Sequence, residues 1–189
     1  MKIAITGGIG AGKSFVCHEL EKHGIHVYDC DAGAKRLMRS DANLQAKLMK
    51  LVGDEVYRDG VLQKPVLAKY LLASEKNKQA VNDVVHPAVA LDFEHGGYDW
   101  LESAILFDSG FDQRTHFDFV VCVTAPVAVR LERIMQRDHI TCEKAQEWID
   151  AVMPQEELVA RSDFEIVNDG ERSIGQQVLM LLEKVNYNQ

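Results

Sequence analysis

The chain has 189 residues, 47% hydrophobic and 26% charged, which suits one globular domain with a sizeable core. Its formal net charge of -8 argues against nucleic acid as the main partner, and no apolar run approaches the ~20 residues of a membrane span. The apolar N-terminal stretch is too short for a secretion signal, and Cys17, Cys30, Cys122 and Cys142 form no CxxC pair, so the expectation is a cytoplasmic protein with reduced thiols.

In chain order, residues 2–6 (KIAIT) read as a buried strand and residues 13–23 as a helix with Phe15, Val16 and Leu20 inward, ended by Gly24. HVY at 26–28 is a second strand. Residues 32–51 and 66–91 read as helical, broken around VGDEVYRDG, and Pro87 is expected to stop a helix and hold His86 extended. WLESAILF at 100–107 and FVVCVT at 119–124 are the third and fourth strands. A helix runs from Pro126 to about Asp138, with further helical pieces at 142–152 and 154–161. FEIV at 164–167 is a fifth strand, and 172–185 a closing helix. Strands alternating with helices predict an α/β fold with a five-stranded parallel sheet. The helical stretch between the second and third strands exceeds a simple crossover and reads as a subdomain.

Between the first strand and first helix lies GGIGAGKS, in which Gly7, Gly12, Lys13 and Ser14 satisfy GxxxxGK[ST]. Glycines let backbone amides turn inward around phosphate oxygens, and the following helix aims its positive end at the same place. Gly8, Ile9, Gly10, Ala11, Gly12, Lys13 and Ser14 are therefore expected to hold a nucleoside triphosphate. Lys13 reaches its β- and γ-phosphates, and the Ser14 hydroxyl completes a Mg²⁺ shell. A glycine turn with a chance Lys-Ser is the bland alternative, and the strand-loop-helix setting weighs against it. The NKxD that reads guanine is missing: Asn77-Lys78-Gln79-Ala80 lacks the aspartate. A small-molecule kinase leads, with a non-enzymatic nucleotide-gated binding module as the rival from another class.

Beyond the second strand, Asp29 and Asp31 stand two apart at a strand's carboxyl end, the edge that faces the ligand crevice in open α/β sheets. A carboxylate there orients an acceptor hydroxyl and takes its proton; equally, Asp31 N-caps the helix that follows. Residues 32–70 hold eight basic residues, Lys35, Arg36, Arg39, Lys47, Lys50, Arg58, Lys64 and Lys69, against four acids. That excess is either a solvated face or a docking surface for a small anion. Arg130, Arg133 and Arg137 share one helix face, as a solvent stripe paired with Glu132 and Asp138 or as a phosphate lid. His86 reads by default as a structural hydrogen-bonder.

With these residues in view, the sequence resembles the dephospho-coenzyme A kinase family of P-loop kinases. GGIGAGKS is followed by DCDA, with Asp31 eighteen residues after Lys13. LQKPVL at 62–67, VVHPAV at 84–89, SAILFDSG at 103–110, RLERIMQRD at 130–138 and DFEIVNDG at 163–170 continue the likeness. The chain departs from the family at Lys64 for arginine, Ala104 for proline and Asp108 for glutamate. Arg130 stands where glutamine is frequent, and Trp148 and Val152 where arginine and glutamine are.

The resemblance implies a P-loop NTPase fold with a nucleotide core at 1–31, 98–137 and 162–189, a helical acceptor subdomain at 32–97 and a lid at 138–161. It implies transfer of the ATP γ-phosphate to the ribose 3′-hydroxyl of dephospho-coenzyme A, with Mg²⁺ as cofactor. Asp31 falls on the position of the family's base and Asp29 beside it. Lys35, Arg36, Lys64 and His86 fall on the acceptor side, Arg137 on the lid arginine and Asn168 on the nucleotide side. Glu102 and Asp108 are the candidates for a further Mg²⁺ ligand acting through water, with a capping or salt-bridge role the equal alternative for each. Another small P-loop kinase, such as a nucleoside monophosphate kinase, fits the basic segment as well.

Overall fold

A computed structural model of the protein describes residues 1–185. In chain order the elements are β1 (Ile3–Thr6), α1 (Lys13–Glu21), β2 (Val27–Asp29), α2 (Cys30–Ser40), α3 (Ala42–Val52), β3 (Tyr57–Arg58), β4 (Val61–Leu62), α4 (Lys64–Ala73) and α5 (Glu75–His95). They continue with β5 (Trp100–Glu102), α6 (Phe111–Arg114), β6 (Phe119–Thr124), α7 (Val127–Asp138), α8 (Cys142–Asp150), α9 (Gln155–Ala160), β7 (Phe164–Val167) and α10 (Ile174–Lys184). The chain divides into two compact units: Met1–Tyr28 together with Tyr98–Gln189, and Asp29–Gly97.

The first unit is built on a five-stranded sheet in the order β2-β5-β1-β6-β7. β1 is central, paired parallel with β5 and β6, and β6 pairs parallel with β7. All four residues of β1 are buried, as a strand covered on both faces requires. Ile3, Ile5, Val121, Val123 and Ile166 of the sheet pack with Val16 and Leu20 of α1 and with Val178 and Leu181 of α10. On α1 the inward positions are one turn apart, Val16 and Leu20; Phe15 was expected inward but is 59% exposed, because it stands off that stripe. The rings of Tyr28 and Tyr98, the residues flanking the second unit in sequence, meet edge to face with centroids 5.2 Å apart. On β6 the Cys122 thiol is pushed up to about 12, chiefly by burial, with Glu165 adding to the effect.

The third strand was expected over 100–107, and it ends at Glu102. Ser103 N–H still donates to Ile5 O at 3.0 Å, then the chain turns, with Ser109 N–H to Ile105 O and Gly110 N–H to Phe107 O. Leu106 and Phe107 are buried all the same, and an apolar run does not distinguish a strand from buried turns.

In the second unit, α2, α3 and α4 pack on α5. Pro87 lies inside α5 and His86 is helical, not extended as expected. Proline removes one backbone donor, yet Val81, Val85, Val89 and Phe93 are buried on both sides of it at four-residue spacing. That continuous stripe outweighs one missing bond. The break around residue 58 contains a β3–β4 hairpin. Asp59 (φ 50°) and Gly60 (φ 75°) form its turn, where positive φ at two successive residues suits Asp-Gly.

Candidate active site

The loop between β1 and α1 is held by donors to its carbonyls, some from the loop and α1 and others from α7 and Asn168. Gly7 O accepts from Lys13 Nζ at 2.9 Å. Gly8 O accepts from Ala11 N–H at 3.1 Å, and Gly12 O from Phe15 N–H at 3.0 Å. Ile9 O accepts from Arg130 Nε at 2.8 Å. Gly10 O accepts from Arg133 Nη1 at 3.4 Å. Ala11 O takes Arg133 Nη1 at 3.3 Å and Asn168 Nδ2 at 2.9 Å. In a trans peptide the carbonyl of one residue and the amide of the next point opposite ways. A tied carbonyl therefore fixes the direction of the following amide, and the amides of Gly8, Ile9, Gly10 and Gly12 donate to nothing among the described residues. Gly12, which opens α1, has φ 89°, and a Cβ there would lie 2.2 Å from Asn168 Nδ2. The result is an anion-binding concavity at a helix N-terminus.

The three arginines of α7 do not share one fate. Arg130 is 3% exposed, and burial holds its guanidinium below the usual arginine range. Arg133 also bonds Asn168 through Nη2, to O at 3.1 Å and to Oδ1 at 3.2 Å. Arg137 is exposed and pairs with Asp138 Oδ2, at 2.9 Å from Nε and 2.7 Å from Nη2. Asn168, 8% exposed, thus joins the loop as a predicted site residue, whereas Arg137 does not reach it here. Arg130 and Arg133 were visible as a stripe, but spacing alone did not say that the stripe faces the loop.

Lys13 Nζ stands 3.8 Å from Glu102 Oε1 at the end of β5, with both side chains largely buried. Ser14 is exposed at the start of α1. A hydroxyl and a nearby carboxylate suit Mg²⁺, which keeps several waters and takes few protein ligands. They do not make a closed cage, and no group of three or more His, Cys, Asp or Glu among the described residues does so. Asp108 is exposed on the turns after β5, outside any strand.

In the second unit, Asp29 caps α2, its Oδ1 accepting from Ala32 N–H at 2.9 Å. The expected alternative role for Asp31 therefore falls to its neighbour. Asp31 lies in the first turn of α2 with its side chain exposed. Lys35 and Lys64 come together with Arg39 around a cavity of about 230 Å³, completed by Met38, Val61 and Leu62. Arg36 is turned elsewhere, onto Asp92 of α5. His86 lies midway along α5 and lines neither this cavity nor a second of about 280 Å³ between α2, α3 and α5.

Comparisons with known proteins agree in direction. The family model described as dephospho-CoA kinase matches residues 1–173. A dephospho-CoA kinase of Bacteroides fragilis is 39% identical over 198 residues, covering 99% of this chain and 96% of that protein. The crystal structure of TT1252 from Thermus thermophilus superposes with a TM-score of 0.81 at 30% identity, covering 98% of this chain and 97% of that one. The structure of dephospho-CoA kinase from Campylobacter jejuni, 19% identical, superposes with a TM-score of 0.66 over 98% of both chains, a likeness of fold.

Proposed function

The chain belongs to the dephospho-CoA kinase family, and from that premise we propose which of its residues carry the transfer of the ATP γ-phosphate to the ribose 3′-hydroxyl of dephospho-coenzyme A. It is an ATP-dependent phosphotransferase. The observation that carries the residue assignment is the phosphate loop: each carbonyl from Gly7 to Gly12 has a donor within the chain, and four amides remain for phosphate oxygens.

Gly8 to Ser14 cradle the triphosphate, and Lys13 exchanges the carbonyls of Gly7 and Gly8 for the β- and γ-phosphates. Asn168 lies on the nucleotide side of the site. Ser14 and, through water, Glu102 would hold a Mg²⁺ arriving with ATP, which would supply neutralising positive charge to the phosphates. Residues 32–97 bind the acceptor. Lys35 and Lys64 attract its pyrophosphate, and Asp29 supports the start of α2. The 3′-oxygen attacks phosphorus, the bond from phosphorus to the ADP oxygen breaks, and the hydroxyl proton passes to Asp31. Residues 138–161 form a lid that brings Arg137 from Asp138 to the phosphates as charge develops. Among the described residues no helix is long and apolar enough to cross a membrane. We assign the reaction to the cytoplasm, between ATP and a small acceptor.

The deciding experiment incubates protein, Mg-ATP and dephospho-coenzyme A and follows ADP together with product mass. One phosphorylated product per ADP is expected. ADP without that product, or transfer to a nucleoside monophosphate instead, would overturn the acceptor assignment.

A further inference from the structure

Two charged side chains are buried among the described residues: Lys13, inside the loop motif, and Arg130, outside it. The Arg130 side chain makes one hydrogen bond among the described residues, from Nε to Ile9 O across 121 positions of sequence. Its guanidinium lies flat against Gly8, where a Cβ would come within 2.4 Å of Nη2 and 2.8 Å of Cζ. Its own backbone approaches Gly10, where a Cβ would lie 2.8 Å from Arg130 O. No ion pair neutralises it among the described residues; Glu156 acts on it only from further away. A buried cation this poorly matched is costly, so a role beyond packing is called for.

We infer that Arg130 is a positioning residue of the nucleotide site, whose Nε ties the Ile9 carbonyl outward and thereby aims the Gly10 amide at the bound phosphates. The peptide plane links the two atoms: fixing Ile9 O fixes Gly10 N–H in the opposite direction. Gly10 has φ 78°, so its backbone has freedom that an anchor must remove. Neither Lys13 nor Arg133 performs this task, because they tie Gly7, Gly10 and Ala11 instead. Glutamine Nε2 stands the same number of bonds from the backbone as arginine Nε. A glutamine at this position therefore keeps the donor and drops the charge.

The inference rests on the reading that this loop binds ATP, and the test separates the two. Arg130→Met puts a methyl where Nε was, and Arg130→Gln puts a donor there. Steady-state KM for ATP and for dephospho-coenzyme A, and the Kd of ADP, are measured for both and for the unaltered protein. Arg130→Met is expected to raise the ATP KM and ADP Kd about tenfold, the loss of one well-placed bond, with the acceptor KM within twofold. Arg130→Gln is expected to return the ATP KM to within about threefold of the unaltered protein. An ATP KM within twofold in Arg130→Met, or equal losses in Met and Gln, would overturn the inference. Absence of ATP turnover and ADP binding in the unaltered protein would instead overturn the ATP reading. If Arg130→Met does not fold, Arg130→Gln is decisive alone: a loss of tenfold or more would overturn it.

Discussion

Asp29 and Asp31 are two residues apart and are placed differently. Asp29 closes the start of α2 by accepting from Ala32 N–H. Asp29→Ala should therefore cost about 1 kcal/mol, lowering the thermal midpoint by roughly 2–4 °C for a chain of this size. Asp31 is exposed in the first turn, so Asp31→Asn should leave the midpoint unchanged. If it takes the proton, that variant loses ~10²–10⁴-fold in kcat with both substrates still bound. Full activity in Asp31→Asn would move the base elsewhere. Lys13→Ala should lower kcat by on the order of 10²-fold, because the charge it neutralises grows during transfer. Unaltered turnover in that variant would remove Lys13 from the chemistry. Circular dichroism checks that both variants remain folded.

At the scale of elements, α2, β4 and α4 bring Lys35, Arg39, Leu62 and Lys64 to one cavity. Replacing the three cations with glutamine should raise the acceptor KM and flatten its dependence on salt, leaving the ATP KM nearly unchanged. Weakened ATP binding alone would show that the cavity does not serve the acceptor. The loop and its flanking elements were legible because GxxxxGK[ST] has one physical solution between a strand and a helix. FVVCVT and FEIV were legible as β-branched runs, and they became β6 and β7. The partners of Arg130 and Arg133 were not, since helical spacing says which residues share a face but not what faces them. Pro87 misled because a local rule competed with the burial of a whole stripe on α5. The hairpin at Asp59-Gly60 carried a turn signal, but its strands are two residues each, too short for any alternation to show. The exchange of capping between Asp31 and Asp29 turned on two residues of helix boundary, the least certain feature of a sequence pattern.

At the scale of the molecule, the buried sheet sets a limit on alkaline stability. The folded state keeps the Cys122 proton up to about pH 12, whereas its ordinary value is 9.0. Above that ordinary value the unfolded chain releases a proton that the folded chain holds, so rising pH favours unfolding. The urea midpoint should fall between pH 9 and about 12, and fall less in Cys122→Ala. Equal falls in both proteins would assign the effect to other groups. Native protein should meanwhile react with an alkylating reagent at exposed Cys142 and spare Cys122. The Tyr28–Tyr98 ring contact has a consequence for descent and for engineering. The chain leaves the first unit at Tyr28 and re-enters at Tyr98, two residues in contact, so the whole Asp29–Gly97 unit is a single uninterrupted segment. Exchanging that segment between relatives needs two splice points and threads no strand through the sheet. If that unit binds the acceptor, as proposed above, new acceptor preferences are reachable by recombination of one stretch of coding sequence, with the phosphate loop inherited whole.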